Sequence, residues 1–169
     1  MVLGNGIEVL GIAVGVYLLV AASSINAVPL RFLVYLISWV CLVFFPHCLA
    51  HFAVGRLVGV RFTYYTLDKS SITKLRLPII SSVSSMIPLL TLKIDRGSLR
   101  SVSPGARAVM FASGAVVSMI LPFLAVVASI GRLPVIWSVA LFLISVANVC
   151  FDLYYSPRAG DLSRIKCAR

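Results

Sequence analysis

Two histidines one helical turn apart, His47 and His51, stand in the run Phe44-Phe45-Pro46-His47-Cys48-Leu49-Ala50-His51-Phe52, otherwise apolar throughout. Residues at i and i+4 share a helix face, so both imidazoles can converge on one atom. That arrangement is how helical zinc sites begin, with a distant third residue completing the protein ligands. An ionisable pair is costly in an apolar span, which makes it a candidate site rather than filler. The plainer alternative is hydrogen bonding to neighbouring helices. A haem fits poorly, because histidines one turn apart cannot take opposite axial positions on one iron.

A third ligand has to come from an element that reaches the same depth. Asp161 follows a Pro157 and Gly160 break that can turn the chain back, and Asp152, four residues after Asn148, competes with it. Asp161 also has a plainer reading, as a solvated ion pair with Arg158 or Arg164.

The elements that must position these residues are helices. With 60% hydrophobic and 12% charged residues among 169, and a mean hydropathy of +1.05, the chain has too little polar surface to coat a soluble domain of its size. An integral, multi-pass membrane protein with a lipid bilayer as its surroundings is expected. Four runs are long enough to cross a bilayer as helices: about 7–28, 32–60, 106–130 and 134–155. The first has no basic start and carries Glu8, so it reads as a retained helix, not a signal peptide. Of the 15 Lys and Arg residues, all but Arg31 and Arg132 then fall on one side. By the positive-inside rule both termini and the central segment are cytoplasmic. The basic excess is thus a topology signal, and no nucleic-acid partner is implied. Cys41, Cys48 and Cys150 lie within spans and Cys167 in the basic tail, 156–169, so no secreted disulfide framework is expected.

The segment 61–104 changes character. Phe62 to Leu67 is β-branched and aromatic and runs into Asp68-Lys69-Ser70-Ser71, which reads as a strand and a turn. Leu75 to Leu92 is apolar but broken by Pro78, Pro88 and serines, which suits a hairpin or re-entrant loop at the membrane surface. The fold class expected is therefore all-α polytopic, one membrane domain over 1–169 with a short extended insertion. Tyr154 and Tyr155 read as interface anchors at the end of the fourth span.

His47-Cys48-Leu49-Ala50-His51, followed by Phe52-Ala53-Val54-Gly55-Arg56-Leu57-Val58-Gly59-Val60, resembles the zinc-motif helix of the site-2 protease family of intramembrane metalloproteases. Ala112-Ser113-Gly114-Ala115-Val116-Val117-Ser118 resembles that family's small-residue core helix. Asn148, followed later by Asp161-Leu162-Ser163-Arg164-Ile165, resembles its closing Asn and Asp-Gly-Gly-Arg region. The likeness runs in the family's order from about Phe44 onward and leaves the first helix as an extra. It implies that His47, His51 and Asp161 are zinc ligands, that Asn148 is a polar residue near the site, and that the partner is a transmembrane helix of another membrane protein. The strand at Phe62 to Leu67 would be the edge on which that helix unwinds. The departures are that Cys48 stands at the position of the general-base Glu, the Asn to Asp spacing is longer, and Leu162 replaces a Gly.

A general base must come within roughly 2.6 to 3.2 Å of the water it deprotonates, and a Cys side chain stops short of a Glu carboxylate. Metal binding survives this change more easily than catalysis. Three function classes follow: an intramembrane zinc protease, a pseudoprotease that captures helices without cutting them, and an accessory subunit in which the histidines only pack.

Overall fold

A computed structural model of the chain describes residues 1–69, 88–158 and 160–166. It is mostly helical with one small sheet. The order is α1 (Val2–Ala21), a 3-10 turn (Ala22–Ser24), α2 (Val28–Leu57), β1 (Phe62–Lys69), β2 (Pro88–Ile94), α3 (Arg96–Ser101), α4 (Pro104–Ile120), α5 (Phe123–Ser129), α6 (Val135–Tyr155) and α7 (Asp161–Lys166). Four helical stretches are long and apolar enough to cross a membrane: Val2–Ser24, Val28–Leu57, Pro104–Ser129 and Val135–Tyr155.

Local chemistry moves the ends away from the expected boundaries. The first helix begins at Val2 and its last turn tightens to 3-10 at Ala22–Ser24, where the Ser23 hydroxyl donates to Val20 O. Apolar content alone had carried it to residue 28. The second starts at Val28 because Pro29 suits the first helical turn. It stops at Leu57 because Gly59 turns left-handed at φ +93°, letting Val60 N–H donate to Gly55 O and Gly59 N–H to Arg56 O. This is a Schellman termination, in which glycine carries the backbone reversal without Cβ strain. The single span read at 106–130 is two helices, divided at Pro122, which has no N–H for a continuing ladder.

Among the described residues of 61–104, β1 and β2 are extended, and α3 and the first residue of α4 are helical. β1 and β2 pair antiparallel, from Phe62 opposite Ile94 to Lys69 opposite Pro88, with an irregularity between Phe62 and Tyr65. Asp95 then caps α3 by accepting from the N–H groups of Gly97 and Ser98, and Ser103 caps α4 by accepting from Ala106 N–H. Ser70, Ser71 and the run up to Ile87 lie outside the described residues. The tail is partly helical, as α7.

α1 lies against α2 through Gly11 and Gly15, on a buried face that also carries Gly4 and Glu8. The Ser38 hydroxyl donates to Gly15 O across that seam at 2.7 Å. One core gathers Leu19, Tyr35, Leu42, Val126 and Leu141, and a second gathers Val60, Met110 and Phe111 between α2 and α4. The second core borders the site.

Gly59→Ala forces a Cβ into the left-handed region and is expected to cost about 1 kcal/mol. A lowered thermal unfolding midpoint measures it, with Gly6→Ala as the comparison, since nothing lies within 4 Å of a Cβ there.

Candidate metal centre

α2 carries His47 and His51 one turn apart, immediately after Pro46. Proline has no N–H to bond the preceding turn, and the carbonyl of neighbouring Val43 takes a hydrogen bond from another helix, the Ser118 hydroxyl of α4 at 2.8 Å. That bond settles a tautomer. A hydroxyl has one proton, and Ser118 has given it to Val43, so its oxygen can only accept from His47 Nδ1, 3.0 Å away. His51 Nδ1 lies 2.7 Å from Met110 O, a carbonyl, which also only accepts. In the neutral ring both Nδ1 atoms therefore carry the proton, and both Nε2 atoms present lone pairs.

Those lone pairs meet a carboxylate. His47 Nε2 and His51 Nε2 lie 3.0 and 3.1 Å from Asp161 Oδ2, and 3.2 Å from each other. With both nitrogens unprotonated the three atoms repel one another, and either a proton or a metal cation among them removes the repulsion. Tetrahedral zinc with ligands at about 2.0 to 2.1 Å sets its ligand atoms about 3.3 Å apart, so the observed edges are close to those of three vertices around one ion. The donor set, two imidazoles and a carboxylate with a vertex left over, fits a catalytic zinc better than a closed structural one.

Asp161 arrives by a turn at the end of α6. Gly160 N–H donates to Tyr155 O, Ser163 N–H to Ser156 O, and Leu162 N–H to the Ser156 hydroxyl. A Cβ on Gly160 would lie 2.8 Å from Ser156 Cα, so the turn closes only on glycine. Burial alone would push the Asp161 carboxyl up; His47 and His51 hold it well below the usual carboxylate range when they are protonated, so without a metal the same contacts close as ion pairs. Arg164 Nε stands 4.0 Å from Oδ1 and is exposed, while Arg158 stacks on Tyr154 and donates to its carbonyl.

Among the described residues, the group able to hold an ion is His47, His51 and Asp161. Asp152, the competing candidate, is not in it. Asn148 stands beside the site, its amide donating to Ser118 O at 3.1 Å and steadying the residue that orients His47. Cys48 points elsewhere, its thiol donating to Leu90 O on β2 at 3.1 Å.

Ser118 and Gly114 were visible in the sequence only as a small-residue pair at i and i+4. Their spacing mirrors that of the histidines, and α4 meets α2 residue for residue. Ser118 takes His47 and Gly114 makes room for His51, since a Cβ there would lie 2.3 Å from His51 Nε2. Met110, as a backbone carbonyl, left no signal in side-chain identity.

Gly114→Ala drives a methyl group into the ligand nitrogen of His51. Zinc affinity measured by chelator competition is expected to fall at least about tenfold, whereas Gly105→Ala, with open space around its Cβ, leaves it unchanged. Ser118→Ala removes the acceptor for His47 and is expected to weaken zinc about 10- to 100-fold. Comparison with protein-family models, curated proteins and solved structures gives no match to this chain, so its function has to be read from this centre.

Proposed function

We propose that the chain is a multi-pass membrane zinc hydrolase of the site-2 protease type, acting on a peptide bond of a transmembrane helix. The observation that carries this is the convergence of two imidazole nitrogens and a carboxylate oxygen, with the other ring nitrogen of each histidine bonded to an acceptor on α4. Structural histidines in a helical bundle share protons with their neighbours; these two give their Nδ1 protons away and turn unprotonated nitrogens on each other and on a carboxylate.

Several observations support the membrane setting. α1, α2 and α6 expose large apolar side chains such as Leu10, Tyr17, Phe44, Leu143 and Leu153, far beyond the scattered apolar exposure of a soluble surface. Placed across a bilayer, the helices would set Arg31 and Arg132 on one side and the other described basic residues on the opposite side, the cytoplasmic one by the positive-inside rule. Arg31 Nη1 then donates to Arg132 O at the outer face.

In this reading His47, His51 and Asp161 hold the ion. Zinc there would polarise the scissile carbonyl and make a bound water a better nucleophile at neutral pH. The chain's own groups do the rest. Ser118 and the Met110 carbonyl keep the imidazoles aimed, and the sheet of β1 and β2 offers strand edges on which an unwound substrate segment can pair, since a helical peptide bond is shielded until its backbone is extended. A second reading, capture of a helix without cleavage, is favoured by Cys48, whose thiol is engaged with β2 rather than the ligand cluster.

Metal analysis of protein purified without chelators tests the centre. About one zinc per chain, lost in His47→Ala and Asp161→Ala, is expected; no zinc in the unaltered chain overturns the proposal. With zinc present, a transmembrane peptide in proteoliposomes separates the two readings. New termini identified by mass spectrometry indicate hydrolysis, and stable retention of the intact peptide indicates capture.

A further inference from the structure

Glu8 is the sole glutamate of the chain and, at 2% exposure, among its most buried charged residues. It sits on the inner face of α1 between Gly4 and Gly11. A Cβ on Gly4 would run into the Tyr65 ring of β1, and one on Gly11 into the Phe45 ring of α2. Glu8 therefore faces the junction of β1 with the turn of α2 that leads into His47 and Cys48. Tyr65 bears this out: its phenol is pushed up by burial first, then by Glu8 and Cys48. Cys48 in turn lies within electrostatic reach of both Glu8 and Asp161. One thiol thus lies within the field of both the ligand cluster and Glu8.

The neighbours are satisfied and Glu8 is not. Tyr65 donates its hydroxyl proton to Asn5 Oδ1 at 2.7 Å, and Cys48 donates to Leu90 O. Glu8 Oε2 is buried with no hydrogen-bond partner among the described residues. A buried carboxyl oxygen without a donor is costly, and such a group persists where a partner enters during function.

We propose that Glu8 is the acid–base group of the metal centre, delivered by α1 to the junction of β1 with the turn of α2 that carries His47 and Cys48. The inference rests on the zinc hydrolase reading above. In the reaction the Glu8 carboxylate takes a proton from water as the water oxygen bonds to the scissile carbonyl carbon. It gives a proton to the amide nitrogen as the C–N bond breaks. One water is consumed, a carboxyl and an amine are released, and Glu8 returns to its starting state.

Because Glu8 is the sole glutamate, glutamate labelled with carbon-13 at the side-chain carboxyl reports on it alone. Titrating zinc into the metal-stripped full chain is expected to shift this resonance, saturating at one zinc per chain, with no shift in Asp161→Ala. Cleavage by Glu8→Gln is expected to fall by about 100-fold or more with zinc content unchanged, and Glu8→Gln with Cys48→Glu is expected to recover a substantial part. An unmoved resonance with zinc bound, undiminished cleavage by Glu8→Gln, or no cleavage by the zinc-loaded unaltered chain would each overturn the assignment while leaving the metal centre standing. Absence of zinc from the unaltered chain overturns both. If Glu8→Gln loses zinc, the labelled unaltered chain still decides.

Discussion

The two Nδ1–H groups of α2 and the acceptors that α4 holds out to them are the contact on which the rest depends. A free imidazole can carry its proton on either nitrogen, and three of the four combinations of two such rings would turn a proton into the centre. Ser118 removes that freedom for His47 because its own proton is already spent on Val43 O, and the Met110 carbonyl removes it for His51. The site is organised before anything binds.

That contact demands closeness, which explains the small residues around it. α4 can bring an acceptor within 2.7 Å of His51 only if its surface one turn on has no side chain, and Gly114 is that surface. Asp161 is placed by a similar economy, since the glycine at 160 lets the chain fold back against Ser156. The polar bonds holding these pieces are nearly all made to backbone carbonyls, which keep their direction along a helix. Asn148 adds one more, from α6 to Ser118 O, so α2, α4 and α6 reach the centre as one connected set.

Legibility in the sequence followed locality. The histidine pair could be read because i and i+4 is a property of one helix, and the four apolar stretches because length and hydropathy are local too. Helix ends could not be read from hydropathy: Gly59, Pro122 and the serines after Ala21 stop helices by backbone chemistry inside runs that remain apolar. Asp161 was one of two candidates because 110 residues separate it from His51, and its approach depends on where α6 ends and how tightly the chain turns there. The orienting role of Ser118 was hidden because its meaning lies in which helix faces it. A backbone acceptor such as Met110 O has no side-chain signature at all.

Glu8 shows the same limit from the other direction. In the chain it is 39 positions from His47 by residue number and carries no motif, yet the glycines on either side of it let α1 settle against both β1 and α2. Where a metal-binding helix carries its own glutamate, ligand and base are positioned by one backbone and move together. Here the proposed ligands belong to α2 and α7, and the proposed base comes from α1. Their alignment then depends on an interhelical seam, held by glycine contacts and by the bonds from Ser38 to Gly15 and from Tyr65 to Asn5. A bundle built this way can separate holding a metal from doing chemistry with it. Shifting α1 by a fraction of a turn would leave the three ligands in place and take the carboxyl away, so the same centre could bind zinc in both arrangements and be competent for proton transfer in only one.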